Sequence, residues 1–417
     1  MKKIFNGKKV VIMGLGLCGG GVGAAKFFCQ QKAKVLVTDL KDKKELKDSL
    51  KKLKGLPIKF VLGRHRKKDF INKDLIIKNP SVKWDSFYLK TAQKNNVLIK
   101  TDTEIFFDLF LGEIIGVTGT KGKSTIATLI YLLLKKKYPK NIFLAGNIGI
   151  SPLEILSRAN RKTKVVLELS SFALENLKKS PRVAVITNIF PDHLNRYKTL
   201  KDYIEAKKPI FKYQKKDDIL ILNKDNPYTK LLIKEAKSRV YFFSEKESKY
   251  APAILVAKLY KVSKKDINIV ISSFKGLSNR QEFIREKNGV RYYNDTAATT
   301  PQSTILAIKE LRNKCKNIIL IAGGEDKNLD YQDLSKEIKK NVSYLILLEG
   351  SASLKLEKEL GNFPIFKTKK MTEAVKKAAA VAKKGDIVLL SPASASFNLF
   401  KNEFDRGRQF KEAVKKI

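Results

Sequence analysis

Of the chain's 417 residues only three are cysteine, Cys18, Cys29 and Cys315. They are odd in number, far apart and without metal-ligand spacing, which excludes a disulfide framework and favours a reducing cytoplasm. Histidine is scarcer still, with two residues. No uninterrupted apolar run approaches the ~18 residues that a membrane helix needs, so no membrane association is expected. The basic and apolar N-terminus, MKKIFNGKKVVIMGLGL, is broken by glycines and reads as the first strand of a folded domain, not as a signal peptide. Acidic residues are also short, 41 against 85 Lys plus Arg, for a formal net charge of +44. An excess of that size raises the question of nucleic-acid binding. The shortage of arginine, 13 of the 85 basic residues, answers it. Binding surfaces cluster arginine with aromatics, whereas these lysines are spread as pairs along the whole chain. No zinc-finger, RRM or helix-turn-helix pattern occurs, and no specific nucleic-acid partner is expected. The charge would still attract anionic substrates such as nucleotides.

With 43% hydrophobic residues, there is enough apolar material for several cores. Short β-branched runs alternate with amphipathic stretches, the pattern of βαβ units with parallel sheets. Three α/β domains follow: an N-terminal Rossmann-like domain over residues 1–104, a central P-loop-type ATPase sheet over 105–275, and a C-terminal Rossmann-like domain over 276–417. In the first, the strand Val10–Met13 opens into a glycine turn and a helix through Phe28. A second strand, Val35–Val37, ends at Asp39, where a ribose-binding carboxylate would sit. Strands are also expected at Leu75–Ile77, Ile114–Val117, Val165–Leu169, Val183–Ile186 and Ile219–Leu222. In the third block they fall at Val290–Tyr293, Ile318–Ile321, Tyr344–Leu348 and Ile387–Leu390. A helix is expected over Lys123–Lys137 and another around Leu200–Phe211.

The strongest motif is Gly119-Thr120-Lys121-Gly122-Lys123-Ser124-Thr125, between a strand and a helix. Backbone N–H groups of such a loop cradle phosphates, Lys123 adds a charge at the terminal phosphates, and the Ser124 or Thr125 hydroxyl suits Mg²⁺. The strict spacing would put glycine at position 117, which is Val117. Glu168 ends a buried strand beside the loop and is a candidate magnesium carboxylate. His193 follows a strand end in an Asp-His pair. A single histidine is more often structural, and a helical lysine in so lysine-rich a chain is usually a solvated face.

The shortened loop resembles that of the Mur ligases, which extend the peptidoglycan precursor, and of the related folylpolyglutamate synthases. Further segments resemble the same family in order: Ala145-Gly146-Asn147-Ile148-Gly149, Leu167 to Phe172, Asn188 to Leu194, Tyr203-Ile204-Glu205-Ala206-Lys207, Asn294-Asp295, Gly323-Gly324, Leu390 to Ser396, and Phe400 to Gly407. The resemblance implies an ATP-dependent, amide-forming ligase that adds D-glutamate to UDP-N-acetylmuramoyl-L-alanine through an acyl phosphate. It implies Mg²⁺ held by Ser124, Glu168, His193 and a carbamylated Lys207, with Tyr203 favouring Lys207 over the adjacent Lys208. Arg280 and Asp295 would close over ATP. Thr299, Lys327 and Ser396 would hold the D-glutamate carboxylates, brought to the ATP by domain closure. Leu15, Leu17, Cys18, Asp39, Asn147, Ser170 and His193 would bind the UDP-sugar. A monomer is expected.

The match breaks in three places. Ala297 stands where the family has a lysine, so a cation is missing at the acceptor end. Ser248-Lys249-Tyr250-Ala251-Pro252 replaces an asparagine-bearing helix start on the adenine side. The aromatic after Phe400-Lys401-Asn402 is displaced to Phe404. Another Mur-type or folylpolyglutamate-type ligase, an inactive relative and a basic nucleotide-binding module are the alternatives; the glycine turn argues for a UDP-sugar over a folate.

Overall fold

The computed structural model describes residues 3–17, 19–193, 196–326, 329–396 and 398–417. The first sheet contains β1 Lys9–Met13, β2 Lys34–Asp39, β3 Ile58–Leu62, β4 Leu75–Lys78 and β5 Leu98–Lys100, in the order β3-β2-β1-β4-β5. All its pairings are parallel. The strand order reverses between β1 and β4, and open α/β sheets bind ligands outside the carboxyl ends of such a pair. The glycine turn after β1 and the Asn79 loop after β4 both emerge there.

The second sheet contains β6 Glu113–Thr118, β7 Ile142–Gly146, β8 Lys164–Glu168, β9 Val183–Ile186, β10 Ile219–Asn223 and β11 Arg239–Phe243, ordered β11-β10-β9-β6-β8-β7. It too is wholly parallel. Its central strands are buried throughout, as parallel strands covered on both faces must be. The helix Lys123–Lys137 packs on β6, β7 and β8. The expected single helix near Leu200–Phe211 is two, Leu200–Lys207 and Pro209–Lys212. Pro209 has no N–H to continue the first, so the chain restarts with proline in the opening turn.

Residues Met1–Ser273 form one compact unit. Its largest core is continuous across both sheets, joining Val10, Phe28 and Val37 to Leu153, Val165, Leu167 and Ile186. The helix Gly20–Gln30 rests on the tight helical segment Pro152–Arg158, so the glycine turn before that helix is fixed relative to the second sheet.

The second unit, Phe274–Ile417, holds β12 Glu282–Lys287, β13 Val290–Asn294, β14 Ile318–Gly323, β15 Tyr344–Leu348, β16 Ile365–Thr368 and β17 Ile387–Leu390, ordered β12-β13-β17-β14-β15-β16. Only β12 pairs antiparallel, with a register shift between Phe283 and Arg285. The last strand inserts between β13 and β14. The exits of β13, β17 and β14, which carry Asp295, Ser391 and Gly324, therefore lie side by side.

Candidate active site

The phosphate loop is short because its strand is long. β6 keeps its ladder through Thr118, with Val117 paired to Glu168 on one side and Val185 on the other. Val117 is fully buried. The glycine is needed two residues later. Gly119 has φ +148°, and a Cβ there would stand 2.0 Å from Thr187 Oγ1. The segment after β9 clasps the loop: Thr120 N–H donates to Asn188 O at 2.9 Å, Lys121 N–H to Asn188 Oδ1 at 2.8 Å, and Phe190 N–H to Thr120 Oγ1 at 3.0 Å. Asn188 Nδ2 reaches on to Glu245. Gly122, at φ +77°, opens the helix Lys123–Lys137 without a side-chain cap. The first-turn N–H groups of such a helix attract an anion.

Lys123 Nζ bends back to the loop, donating to Gly119 O and Thr120 O, each at 3.0 Å. Lys207, 1% exposed, donates to the same Gly119 O at 3.1 Å and lies 4.5 Å from the Tyr203 ring centroid. Burial, and then the nearby Lys123 charge, hold its amine well below the ordinary lysine range, with Asp192 opposing. Lys208 points elsewhere and is paired with Glu205 and Glu235. The structure thus separates the two lysines that the sequence left adjacent: Lys207 faces the phosphate loop. Tyr203 spans the gap with its hydroxyl 3.2 Å from Thr120 Oγ1.

Glu168 is 1% exposed, at the end of β8. Its Oε1 accepts from Asn147 Nδ2 at 3.2 Å, while Oε2 is buried without a hydrogen-bond partner among the described residues. A buried carboxylate oxygen lacking a partner is costly, and it fits a cation ligand. Among the described residues no three His, Cys, Asp or Glu side chains gather as a metal cage. Magnesium typically takes one or two protein carboxylates and completes its shell from phosphates and water. Asn147 belongs to a turn that meets both halves of the unit: its N–H donates to Glu168 O at 2.9 Å, and a Cβ on Gly19 would stand 2.6 Å from Gly149 O. Glu168 and the first-block glycine turn are therefore joined through Asn147–Gly149.

His193 takes a left-handed backbone, φ +55°. Its ring lies edge-on to Phe172 at 4.8 Å and 6.2 Å from Tyr203, which places it on the Lys207 side of the loop. Ser170 caps the short helix Ser171–Leu174 by accepting Ala173 N–H. Asp39 closes the first glycine turn, accepting Gly16 N–H at 3.0 Å and Lys41 N–H at 2.9 Å. Leu15 is fully buried, so only its backbone can serve a ligand, and Leu17 is half-buried against the core. Cys18 lies outside the described residues. Gly19 caps the following helix without a side-chain bond.

In the second unit, Asp295 accepts Ser391 Oγ at 2.9 Å and Gln281 N–H at 3.1 Å. Arg280 is exposed, between the left-handed Asn279 and Gln281. Thr299 is half-buried, and Ser396 Oγ is buried without a partner among the described residues. Lys327 lies outside them. The residue that sequence reasoning left without a role is Arg406. It is fully buried and donates to Thr296 Oγ1 and O, both at 3.0 Å, and to Ser394 O at 3.3 Å. It straps the Ser391–Ser396 turn to the Thr296 loop. The helix expected to begin differently near Pro252 runs Ala251–Leu259 without a side-chain cap, and the displaced Phe404 is half-exposed.

Comparison with known proteins agrees with this layout. Family models match in order: the MurD-like N-terminal domain of Mur ligases at residues 8–100, the Mur ligase middle domain at 117–283 and the Mur ligase glutamate ligase domain at 279–394. The chain is 40% identical to a UDP-N-acetylmuramoylalanine–D-glutamate ligase of Borreliella burgdorferi (strain ZS7), over 98% of this chain and 97% of that one. It is 38% identical to the protein of that name from Roseiflexus sp. (strain RS-1), over 98% of each. Among solved structures, the UDP-N-acetylmuramate–alanine ligase MurC of Thermotoga maritima shares the fold at TM-score 0.65 and 18% identity, covering 98% of this chain and 99% of that one. The MurF ligase of Thermotoga maritima, in complex with ADP, does so at TM-score 0.60 and 19% identity, over 92% and 95%. A phosphate loop beside a buried glutamate and a buried lysine, in a chain that matches its relatives almost from end to end, leaves no other assignment: the protein belongs to the Mur ligase family of ATP-dependent, amide-forming ligases.

Proposed function

We propose that the chain joins D-glutamate to UDP-N-acetylmuramoyl-L-alanine at the expense of ATP, in cytoplasmic synthesis of the peptidoglycan precursor. The observation that carries this reading is the convergence of the Gly119–Thr125 loop, the orphaned Glu168 Oε2 and the buried Lys207 at one sheet edge, in a chain 40% identical to a ligase of that name.

The alanyl carboxylate oxygen attacks the γ-phosphorus of ATP and ADP leaves. The amine of D-glutamate then attacks the acyl carbon, phosphate leaves, and the nitrogen loses a proton. The first step brings anions together, so the catalyst must neutralise charge and hold the partners in line. The uncapped N-terminus at Lys123 and the Lys123 ammonium supply the positive field. Glu168 and Ser124, with His193 and Lys207, would hold Mg²⁺, which when bound neutralises phosphate oxygens. For Lys207 this requires a carbamate, formed when a neutral amine adds CO₂ and releases a proton. Its lowered proton affinity supports that chemistry. Asp39, Asn147, Ser170 and the Leu15–Gly19 turn are assigned to the UDP-sugar. Thr299, Ser396 and Lys327 are assigned to the amino-acid carboxylates. A cation and two hydroxyls suit a dicarboxylate even with alanine at position 297.

The test is phosphate release across a panel of amino acids with UDP-N-acetylmuramoyl-L-alanine. Release should require ATP, the UDP-sugar and D-glutamate together. Robust turnover with L-lysine or diaminopimelate in place of D-glutamate would reject the assignment. Tight nucleic-acid binding at near-physiological salt would favour the module reading instead.

A further inference from the structure

Two cations hold the four carbonyls of Asn79, Pro80, Ser81 and Val82 in the loop that follows β4. Lys78, fully buried, donates from Nζ to Asn79 O and Pro80 O, each at 3.3 Å, and to Val82 O at 2.8 Å. The remaining carbonyl, that of Ser81, accepts Arg196 Nη1 at 3.0 Å. Lys78 belongs to the first sheet, but Arg196 follows β9 in the second. The Arg196 side chain is 9% exposed and donates through Nη2 to Glu175 Oε2 at 2.8 Å. Its Cζ lies over the Phe172 ring, 4.4 Å from the centroid, and Phe172 is the ring against which His193 packs. The Arg196 N–H also donates to His193 O at 2.9 Å. At its other end the held loop meets the glycine turn. Asn79 Nδ2 donates to Gly14 O at 3.2 Å, and a Cβ on Gly14 would stand 2.8 Å from Asn79 Cβ.

From this chain of contacts we infer that Arg196 is a positioning residue: it sets the span between the UDP-sugar turn at Gly14–Gly16 and the His193 wall of the ATP site. The inference rests on the proposed reaction. A substrate anchored by its diphosphate at one end and phosphorylated on its alanyl carboxylate at the other must match that span. An error of about 1 Å in such a placement costs up to about a hundredfold in rate. Arginine is required by the geometry. The planar fork reaches Ser81 O and Glu175 at once while its face covers Phe172, and a lysine ammonium satisfies only part of this.

The experiment uses the full chain with Arg196→Ala and Arg196→Lys, measuring phosphate release and separate KM values for the UDP-sugar, ATP and D-glutamate. The expected result for Arg196→Ala is a rise of about tenfold or more in KM for the UDP-sugar with a fall in kcat, and a KM for ATP within about twofold of wild type. Arg196→Lys should recover only part of the loss. Equal rises for the UDP-sugar and ATP would mark a merely structural residue and overturn the inference, as would no change in either. Amide hydrogen exchange supplies a readout independent of turnover: Arg196→Ala should speed exchange across residues 79–82 and leave 123–137 unchanged. Unchanged exchange at 79–82 overturns the clasp. Failure of the wild type to turn over UDP-N-acetylmuramoyl-L-alanine instead rejects the proposed function, while the exchange result still decides on the clasp.

Discussion

Lys207→Met should remove turnover and, against the usual direction for a core substitution, make the fold more stable. Methionine nearly matches lysine in volume, so no cavity of consequence forms. The substitution gives up one hydrogen bond, to Gly119 O at 3.1 Å, worth about 1 kcal/mol net. That carbonyl is not orphaned, because Lys123 Nζ still donates to it at 3.0 Å. A thioether beside the Tyr203 ring recovers part of the contact. The gain comes from the amine itself, which is buried beside the Lys123 charge and held well below its ordinary proton affinity. Replacing buried ionic groups with apolar ones of similar volume stabilises by about 1–4 kcal/mol. The balance favours methionine by roughly 0–3 kcal/mol at neutral pH.

The sign with pH follows. An unfolded lysine titrates near ~10.4, and in the fold Lys207 lets go of its proton well below that. Within that window the unfolded chain holds a proton that the folded one lacks, so wild-type stability climbs with pH. The advantage of Lys207→Met should therefore shrink as pH rises toward ~10.4. Urea unfolding in degassed buffer, to keep the amine free of CO₂, measures the difference, and phosphate release measures the loss of activity. A variant less stable than wild type at neutral pH, or an advantage that grows with pH, refutes the reasoning and makes Lys207 a structural strut.

Glu168→Gln keeps an acceptor for Asn147 and removes the charge whose Oε2 has no partner. It should leave the unfolding midpoint unchanged or higher, while the Mg²⁺ needed for phosphate release rises about tenfold or more; lower stability with unchanged metal demand would reject the ligand role. Arg406→Met leaves the carbonyls of Thr296 and Ser394 without their buried donor, and should cost the unit Phe274–Ile417 about 3 kcal/mol or more in denaturant unfolding. Lys78 is pushed down to about 8 by burial and the Arg196 charge. Between that value and ~10.4 its contribution to stability rises with pH, by roughly 3 kcal/mol in all. Wild type should gain on Lys78→Met as urea midpoints are taken from about pH 8 to about pH 10; the opposite slope rejects the shift.

The strands that sequence reading misses are not scattered. They are β3, β5, β7, β11, β12 and β16, the two edges of each sheet. Interior strands of a parallel sheet are buried on both faces and read as unbroken apolar runs, as in Ile318–Gly323 and Ile387–Leu390. Edge strands face water, so β12 reads Glu-Phe-Ile-Arg-Glu-Lys and β3 has exposed Lys59 and Phe60. The phosphate loop was legible because its residue types are dictated by a backbone that must approach phosphate. Asn188 and Arg406 were legible only as members of family-like segments, without a role, and Arg196 was not singled out. Each acts on backbone carbonyls or N–H groups distant in sequence, and no local spacing signals such a partner. Lys207 was legible only by resemblance, since the property that separates it from its neighbour is burial, and adjacent lysines on one helix carry no sign of which is buried.

The departure at Val117 and the placement of Lys207 share one physical cause. Because β6 stays in register with β8 through Val117 and with β9 through Thr118, the turn must be made at once, by a single glycine in a conformation closed to other residues. That turn leaves Gly119 O facing inward, where Lys123 and Lys207 both donate to it. Burial is the larger cause of the lowered proton affinity of Lys207, and the neighbouring Lys123 charge adds to it. The glycine placed at 119, not at 117, thus presents its carbonyl to the helix Leu200–Lys207, and Lys207 is the residue that meets it.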